Sequence, residues 1–170
     1  MKKNIVLTGF MGTGKSQVGR VLAEKLGYVF IDIDARIEGE LKKTISEIFE
    51  GEGEACFRDM EADMIRRVAD LEGAVIATGG GAILREDNLV NLTRKGVIVC
   101  LTASPETIFN RTVASKERPL LRTEDPLATI RQLLSSRKAH YEKAGIMIDT
   151  EGKSPLVVAE EILSEVEAYE

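Results

Sequence analysis

The amino-acid sequence predicts an α/β fold: a three-layer sandwich with a central five-stranded parallel sheet flanked by helices on both faces, built as one domain over residues 1–170. Two observations predict it. Short apolar runs alternate with longer stretches of helical periodicity: Ile5-Val6-Leu7, Val29-Phe30-Ile31, Ala74-Val75-Ile76-Ala77, Val97-Ile98-Val99-Cys100-Leu101 and Ile146-Met147-Ile148. Their apolarity is continuous rather than alternating, which suits strands buried on both faces. The second observation is the stretch that follows the first run, Gly9-Phe10-Met11-Gly12-Thr13-Gly14-Lys15-Ser16, which fits G-x-x-x-x-G-K-[ST] between a strand and a helix.

Each element has its own reason. The glycines of that loop let successive backbone N–H groups turn inward on phosphate oxygens, Lys15 adds a positive charge, and the Ser16 hydroxyl is placed for magnesium. Val18, Val21, Leu22 and Leu26 recur at helical spacing, so the loop opens a helix whose dipole faces the same anion. The second strand is expected to end in Asp32-Ile33-Asp34, with one carboxylate serving magnesium and nucleotide and the other an acceptor. A helix-capping Asp34 is the alternative. Phe57, Met60, Met64, Val68 and Leu71 form one helical stripe, and the third strand leads into Thr78-Gly79-Gly80-Gly81, where a ligand can lie against bare backbone. Ser104-Pro105-Glu106 reads as an N-cap with proline at the first helical position. The charged, non-periodic segment over about residues 114–124 reads as a mobile lid carrying Arg118, or as an ordinary solvated loop. Leu127, Ile130, Leu134, Arg137 and Tyr141 share a helix face, so Arg137 either meets an anion there or runs its stem out to solvent. Ala159, Ile162, Leu163 and Val166 mark the last helix.

Composition excludes several classes. A formal net charge of -5 argues against a broad nucleic-acid or anionic-membrane surface. No apolar stretch approaches the roughly 20 residues that span a bilayer, and Met1-Lys2-Lys3-Asn4 leaves no room for a signal peptide, so a cytoplasmic location is expected. Cys56 and Cys100 form no C-x-x-C pair, which disfavours disulfide and zinc readings. His140 lacks a second imidazole and reads as a surface residue. Asp70-Leu71-Glu72-Gly73 is formally D-x-x-G, but it precedes a strand and no N-K-x-D follows, which disfavours a GTPase-like switch.

The ensemble of motifs resembles the shikimate kinase family over nearly the whole chain: Gly9 to Ser16, Asp32-Ile33-Asp34, Phe57-Arg58-Asp59-Met60-Glu61, Gly79-Gly80-Gly81-Ala82, Arg118-Pro119-Leu120-Leu121, Arg137 with Tyr141, and Asp149-Thr150 before Pro155. The resemblance implies a kinase that transfers the γ-phosphoryl group of ATP to the 3-hydroxyl of shikimate in aromatic amino acid biosynthesis. It implies ATP and shikimate as partners, Mg2+ as cofactor, no nucleic acid, no membrane and a monomer. By position it assigns shikimate to Asp34, Arg58, Gly80 and Arg137, in an acceptor-binding region over about 33–61, and catalysis to Lys15, Asp34 and Arg118. It assigns ATP to Gly12, Thr13, Gly14, Lys15, Ser16, Gln17, Arg111, Arg118 and Lys153, and magnesium to Ser16 and, through water, Asp32.

The chemistry suits these residue types. Arg58 and Arg137 would grip the carboxylate by charge-assisted hydrogen bonds, leaving the 3-hydroxyl near Asp34. Arg58 also fits a helix-surface pair with Glu54 and Glu61, of which Glu61 is placed to steady it. A gluconate or nucleoside monophosphate kinase of the same fold remains the alternative, since it would share loop and lid. Two positions depart from the family pattern: Gln17 replaces a threonine that would reach the α-phosphate, and Lys42 stands where glycine is frequent, at the end of the helix after Asp34.

Overall fold

A computed structural model describes residues 3–113 and 119–169. Residues 114–118, the first half of the expected lid and the position of Arg118, lie outside the described residues. The elements run β1 (Asn4–Gly9), α1 (Lys15–Leu26), β2 (Val29–Asp32), α2 (Ile33–Leu41), α3 (Ile45–Val68), β3 (Ala74–Ala77), α4 (Glu86–Thr93), β4 (Gly96–Thr102), α5 (Pro105–Thr112), α6 (Pro126–Ala144), β5 (Ile146–Asp149) and α7 (Pro155–Tyr169). The sheet has five strands in the order β2-β3-β1-β4-β5, every pair parallel. The chain winds from β1 to one side through β2 and β3, then crosses to the other through β4 and β5. That reversal leaves a crevice at the carboxyl ends of the central strands.

Both faces are covered, as the continuous apolar runs require. On β1, Ile5 and Leu7 turn to a core shared with α1 and α7, while Val6 turns to a larger core shared with α3, α4 and α6. Asn4, fully buried, holds the turn into β3: its Nδ2 donates to Leu71 O at 2.7 Å and its Oδ1 accepts from Ala74 N at 2.9 Å. No helix among the described residues is long and apolar enough to cross a membrane.

The structure corrects the expectation for Asp32-Ile33-Asp34. β2 ends at Asp32, whose Oδ1 accepts from Ala35 N at 3.3 Å and so caps α2. Asp34 is therefore in the first helical turn, and its direction follows helical geometry rather than strand alternation. Two further differences concern α3. It starts at Ile45 behind a Thr44/Glu47 capping box, with Thr44 N donating to Glu47 Oε2 at 2.7 Å. It also ends at Val68, so Leu71 falls outside the stripe and is exposed. Gly53 (φ 85°, ψ 164°) interrupts α3, and its backbone conformation, which L side chains rarely adopt, joins two helical limbs. Lys42 takes the left-handed position (φ 54°, ψ 33°) that closes α2, where glycine would be unstrained.

Candidate active site

A cleft of about 760 Å3 opens at the carboxyl ends of the strands, and the sequence motifs meet in it. Its first half is built around the loop after β1. Gly14 (φ 92°) is the N-cap of α1 and supplies no side-chain cap, so the positive end of that helix opens onto the cleft. Gly12, Thr13, Gly14 and Gln17 line the cleft there. Lys15 Nζ donates to Gly9 O at 2.8 Å and Phe10 O at 2.9 Å, and Thr13 Oγ1 donates to Phe10 O at 2.7 Å, bracing the loop. Ser16 Oγ donates to Asp32 Oδ2 at 2.6 Å, so Asp32 joins α1 to the start of α2. This hydroxyl and carboxylate are hard oxygen donors of the kind Mg2+ takes. No cluster of three or more His, Cys, Asp or Glu side chains that could cage a metal occurs among the described residues. An ion held here would complete its shell from phosphate oxygens and water.

Arg111 crosses the mouth of this half. It donates to Gly12 O at 3.2 Å, Thr150 Oγ1 at 3.1 Å and Thr150 O at 3.2 Å, tying the loop to the segment after β5. That segment is anchored in turn by Glu151, which accepts from Ser104 N at 3.0 Å and from Thr107 Oγ1. These bonds hold the exposed Glu151 carboxyl below its ordinary range, the Thr107 hydroxyl contributing most. Lys153 lines the cleft and donates to Glu161 Oε2 at 2.6 Å.

The second half joins α2, α3, α6 and the glycines after β3. Asp34, Arg58, Gly80 and Arg137 all line the cleft. Arg137 is 6% exposed, so its stem does not run to solvent, and its guanidinium lies 5.6 Å from the centre of the Phe10 ring. Arg58 Nη1 donates to Glu61 Oε2 at 2.8 Å and Nη2 to Glu54 Oε1 at 3.1 Å. Both helix pairs foreseen for Arg58 therefore form while it faces the cleft. Glu61 is 0% exposed, and burial pushes its carboxyl up to about 7 against the opposing pull of Arg58. Tyr141 OH donates to Gly80 O at 2.7 Å, and burial raises its phenol to about 12. The glycines make room: a Cβ on Gly81 would stand 2.7 Å from Arg58 Cζ, and one on Gly79 would collide with Glu61 Oε1.

The sequence reading did not find the parts of Phe10 and Tyr141. Phe10 occupies a wildcard position of the loop motif, and the partner of Tyr141 is a backbone carbonyl that leaves no mark in sequence. His140, by contrast, is exposed as expected.

The family model "SKI: Shikimate kinase" matches residues 11–167. The chain belongs to the shikimate kinase family. It is accordingly an ATP-dependent small-molecule kinase. The shikimate kinase of Thermodesulfovibrio yellowstonii is 50% identical over 97% of this chain and 95% of that protein. The structure of Acinetobacter baumannii shikimate kinase in complex with shikimate superposes with a TM-score of 0.97 at 38% identity, covering 100% of this chain and 96% of that one. A Sinorhizobium meliloti gluconokinase has a TM-score of 0.68 at 21% identity, covers 98% of this chain and 93% of its own, and shares the fold alone.

Proposed function

We propose that this kinase transfers the γ-phosphoryl group of ATP to the 3-hydroxyl of shikimate, with the loop half of the cleft holding the nucleotide and the glycine-lined half the acceptor. The observation that carries this reading is the convergence of Arg58, Arg137 and Asp34 on one cleft with the phosphate loop. The guanidiniums grip the shikimate carboxylate, each by forked charge-assisted hydrogen bonds, and that fixes the ring. Asp34 then orients the attacking hydroxyl and accepts its proton. The amides of Gly12, Thr13 and Gly14 cradle the phosphates with Lys15, while Arg111 and Lys153 flank the base. Ser16 and, through water, Asp32 hold Mg2+, which when bound neutralises charge on the phosphate oxygens. Arg118 lies outside the described residues, so its contact with the transferring group rests on the family resemblance. The residues assigned to both substrates come from one chain, so the reading needs no second copy. It suits a cytoplasmic monomer.

The test is a coupled assay of ADP release with Mg-ATP and shikimate, gluconate or AMP. Shikimate should be turned over far better than either rival, because only a carboxylate with adjacent ring hydroxyls uses both arginines and Asp34. Preferential turnover of gluconate or AMP would sink the assignment. Asp34→Asn keeps the shape of the side chain but removes its charge, and should lower kcat by roughly 10² or more with little change in ATP binding. Near-normal turnover would reduce Asp34 to a residue of the first turn of α2.

A further inference from the structure

The acceptor half of the cleft contains a buried carboxyl that the transfer reaction does not use. Glu61 is 0% exposed, and only one of its oxygens is satisfied: Oε2 accepts from Arg58, while Oε1 has no hydrogen-bond partner among the described residues. Oε1 faces Gly79, and Asp34 Oδ1 lies on the same side, 3.2 Å from where a Cβ of Gly79 would stand. The charged and titratable groups around Glu61 come from three helices. Arg58, itself paired with Glu54, is on α3; Asp34 is on α2; Arg137, with Tyr141 four residues along the same face, is on α6.

We propose that Glu61 makes shikimate binding a proton-coupled event: the incoming carboxylate takes a share of Arg58, and Glu61 picks up one proton from solvent as it gives that share up. The inference rests on the carboxylate clamp proposed above. Glu54 is about half exposed and screened by water, and among the other four side chains, when ionised, Arg58 and Arg137 balance Asp34 and Glu61. A bound carboxylate then leaves the buried cluster with one uncompensated negative charge, which is costly away from water. One proton on Glu61 restores the balance. Oε1 is the oxygen that receives it, because Oε2 already accepts from Arg58, and the new O–H points to the side on which Asp34 Oδ1 lies. Burial has already raised the affinity of Glu61 for a proton to about neutral, so the uptake falls in the working pH range. The balance is simple: one proton leaves the buffer, one O–H bond forms on Glu61, and no other group gives up a proton. Because shikimate 3-phosphate keeps the ring carboxylate, Glu61 stays protonated until product departs.

Isothermal titration of the intact enzyme with shikimate at pH 8, in phosphate, HEPES and Tris, reads the coupling directly. The observed enthalpy should rise in proportion to the ionisation enthalpy of the buffer, with a slope of several tenths of a proton taken up, roughly 0.3 to 1. Shikimate affinity should also fall between pH 7 and pH 9, by up to about tenfold per unit, although the shikimate carboxyl is fully ionised throughout that range. Glu61→Gln keeps an oxygen to accept from Arg58 but cannot titrate, so its slope should be near zero and its affinity flat over the same interval. A zero or negative slope in the wild-type enzyme overturns the proposal without any variant. A slope that persists in Glu61→Gln removes the assignment to Glu61. Arg137→Ala separates this inference from the clamp: affinity that depends on Arg137 with no proton uptake sinks the coupling alone. Affinity indifferent to Arg137 sinks the clamp itself.

Discussion

Arg137 is the side chain whose helical spacing left two outcomes open, and its burial against Phe10 closes one of them. A guanidinium so placed is costly unless an anion meets it. Removing one partner of a charge-assisted pair costs about 1.5 to 3 kcal/mol, so Arg137→Ala should weaken shikimate binding roughly 10- to 100-fold while ATP affinity barely moves. Arg137→Lys should also fall short of wild type, because an ammonium cannot reproduce a planar fork. Titration calorimetry with each substrate separates these outcomes, and a loss confined to ATP would move Arg137 out of the acceptor site. Glu61 makes a different residue-level prediction, about stability without ligand. Its folded value of about 7 lies above its ordinary 4.5, so between those values the folded chain binds more protons than the unfolded one. The sign follows: Glu61 costs nothing below about pH 4.5, and its contribution falls as pH rises toward 7, then stays level. Between pH 5 and pH 8 the wild-type enzyme should lose about 2 to 3 kcal/mol more than Glu61→Gln does. Urea unfolding of both proteins at the two pH values checks this, and parallel losses would mean that Glu61 titrates normally in the fold.

At the scale of elements, α2 shows how a short helix is set by its two ends. Asp32 caps its start and Lys42 closes it in a left-handed conformation, with Lys42 N donating to Glu38 O at 2.9 Å. A residue with a Cβ pays about 1 kcal/mol there, partly offset in glycine by its larger unfolded-state entropy. Lys42→Gly should therefore stabilise the protein by about 0.5 to 1 kcal/mol, raising Tm by roughly 1 to 4 °C, with kcat and KM unchanged because the side chain points to solvent. A lower Tm would show that the Lys42 side chain contributes more than its backbone strain removes. The same helix marks where sequence was legible and where it was not. The strands could be read because burial on both faces forces unbroken apolar runs, and the phosphate loop because its chemistry demands fixed residue types at fixed spacing. In Asp32-Ile33-Asp34, however, apolar and acidic residues alternate as a strand would, whereas the chain has already turned helical there, with Asp32 capping α2 through Ala35 N. Eight-residue α4 was missed for a related reason: no side chain caps its start, and its two leucines are too few to establish a period. Gly53 is likewise silent, since a φ of 85° inside α3 is a property of backbone, not of pattern.

The whole molecule carries a net charge of -5, yet the groups turned into the cleft include Lys15, Arg58, Arg111 and Arg137. Anionic substrates are thus met by a local field created by topology, the reversal of strand order beside β1 that brings α1, α3, α5 and α6 to one rim. Within that rim the cations are divided. Lys15 and Arg111 lie at the start of α1 and on α5, whereas Arg58 and Arg137 lie on α3 and α6 beside the glycines after β3. If the division holds energetically, each substrate stabilises the fold through its own half. A ligand at 100 times its Kd adds about 2.7 kcal/mol, equivalent to a Tm rise of roughly 5 to 11 °C in a chain of this size. Lys15→Met should then abolish the rise caused by Mg-ATP and leave that caused by shikimate, and Arg137→Ala should do the reverse. Thermal melts of the two variants, each with each substrate at the same concentrations, give a crossed pattern on this account. If either substitution removed both rises equally, the cleft would be one indivisible binding unit, and the reading of two halves meeting at the transferring phosphoryl group would have to be abandoned.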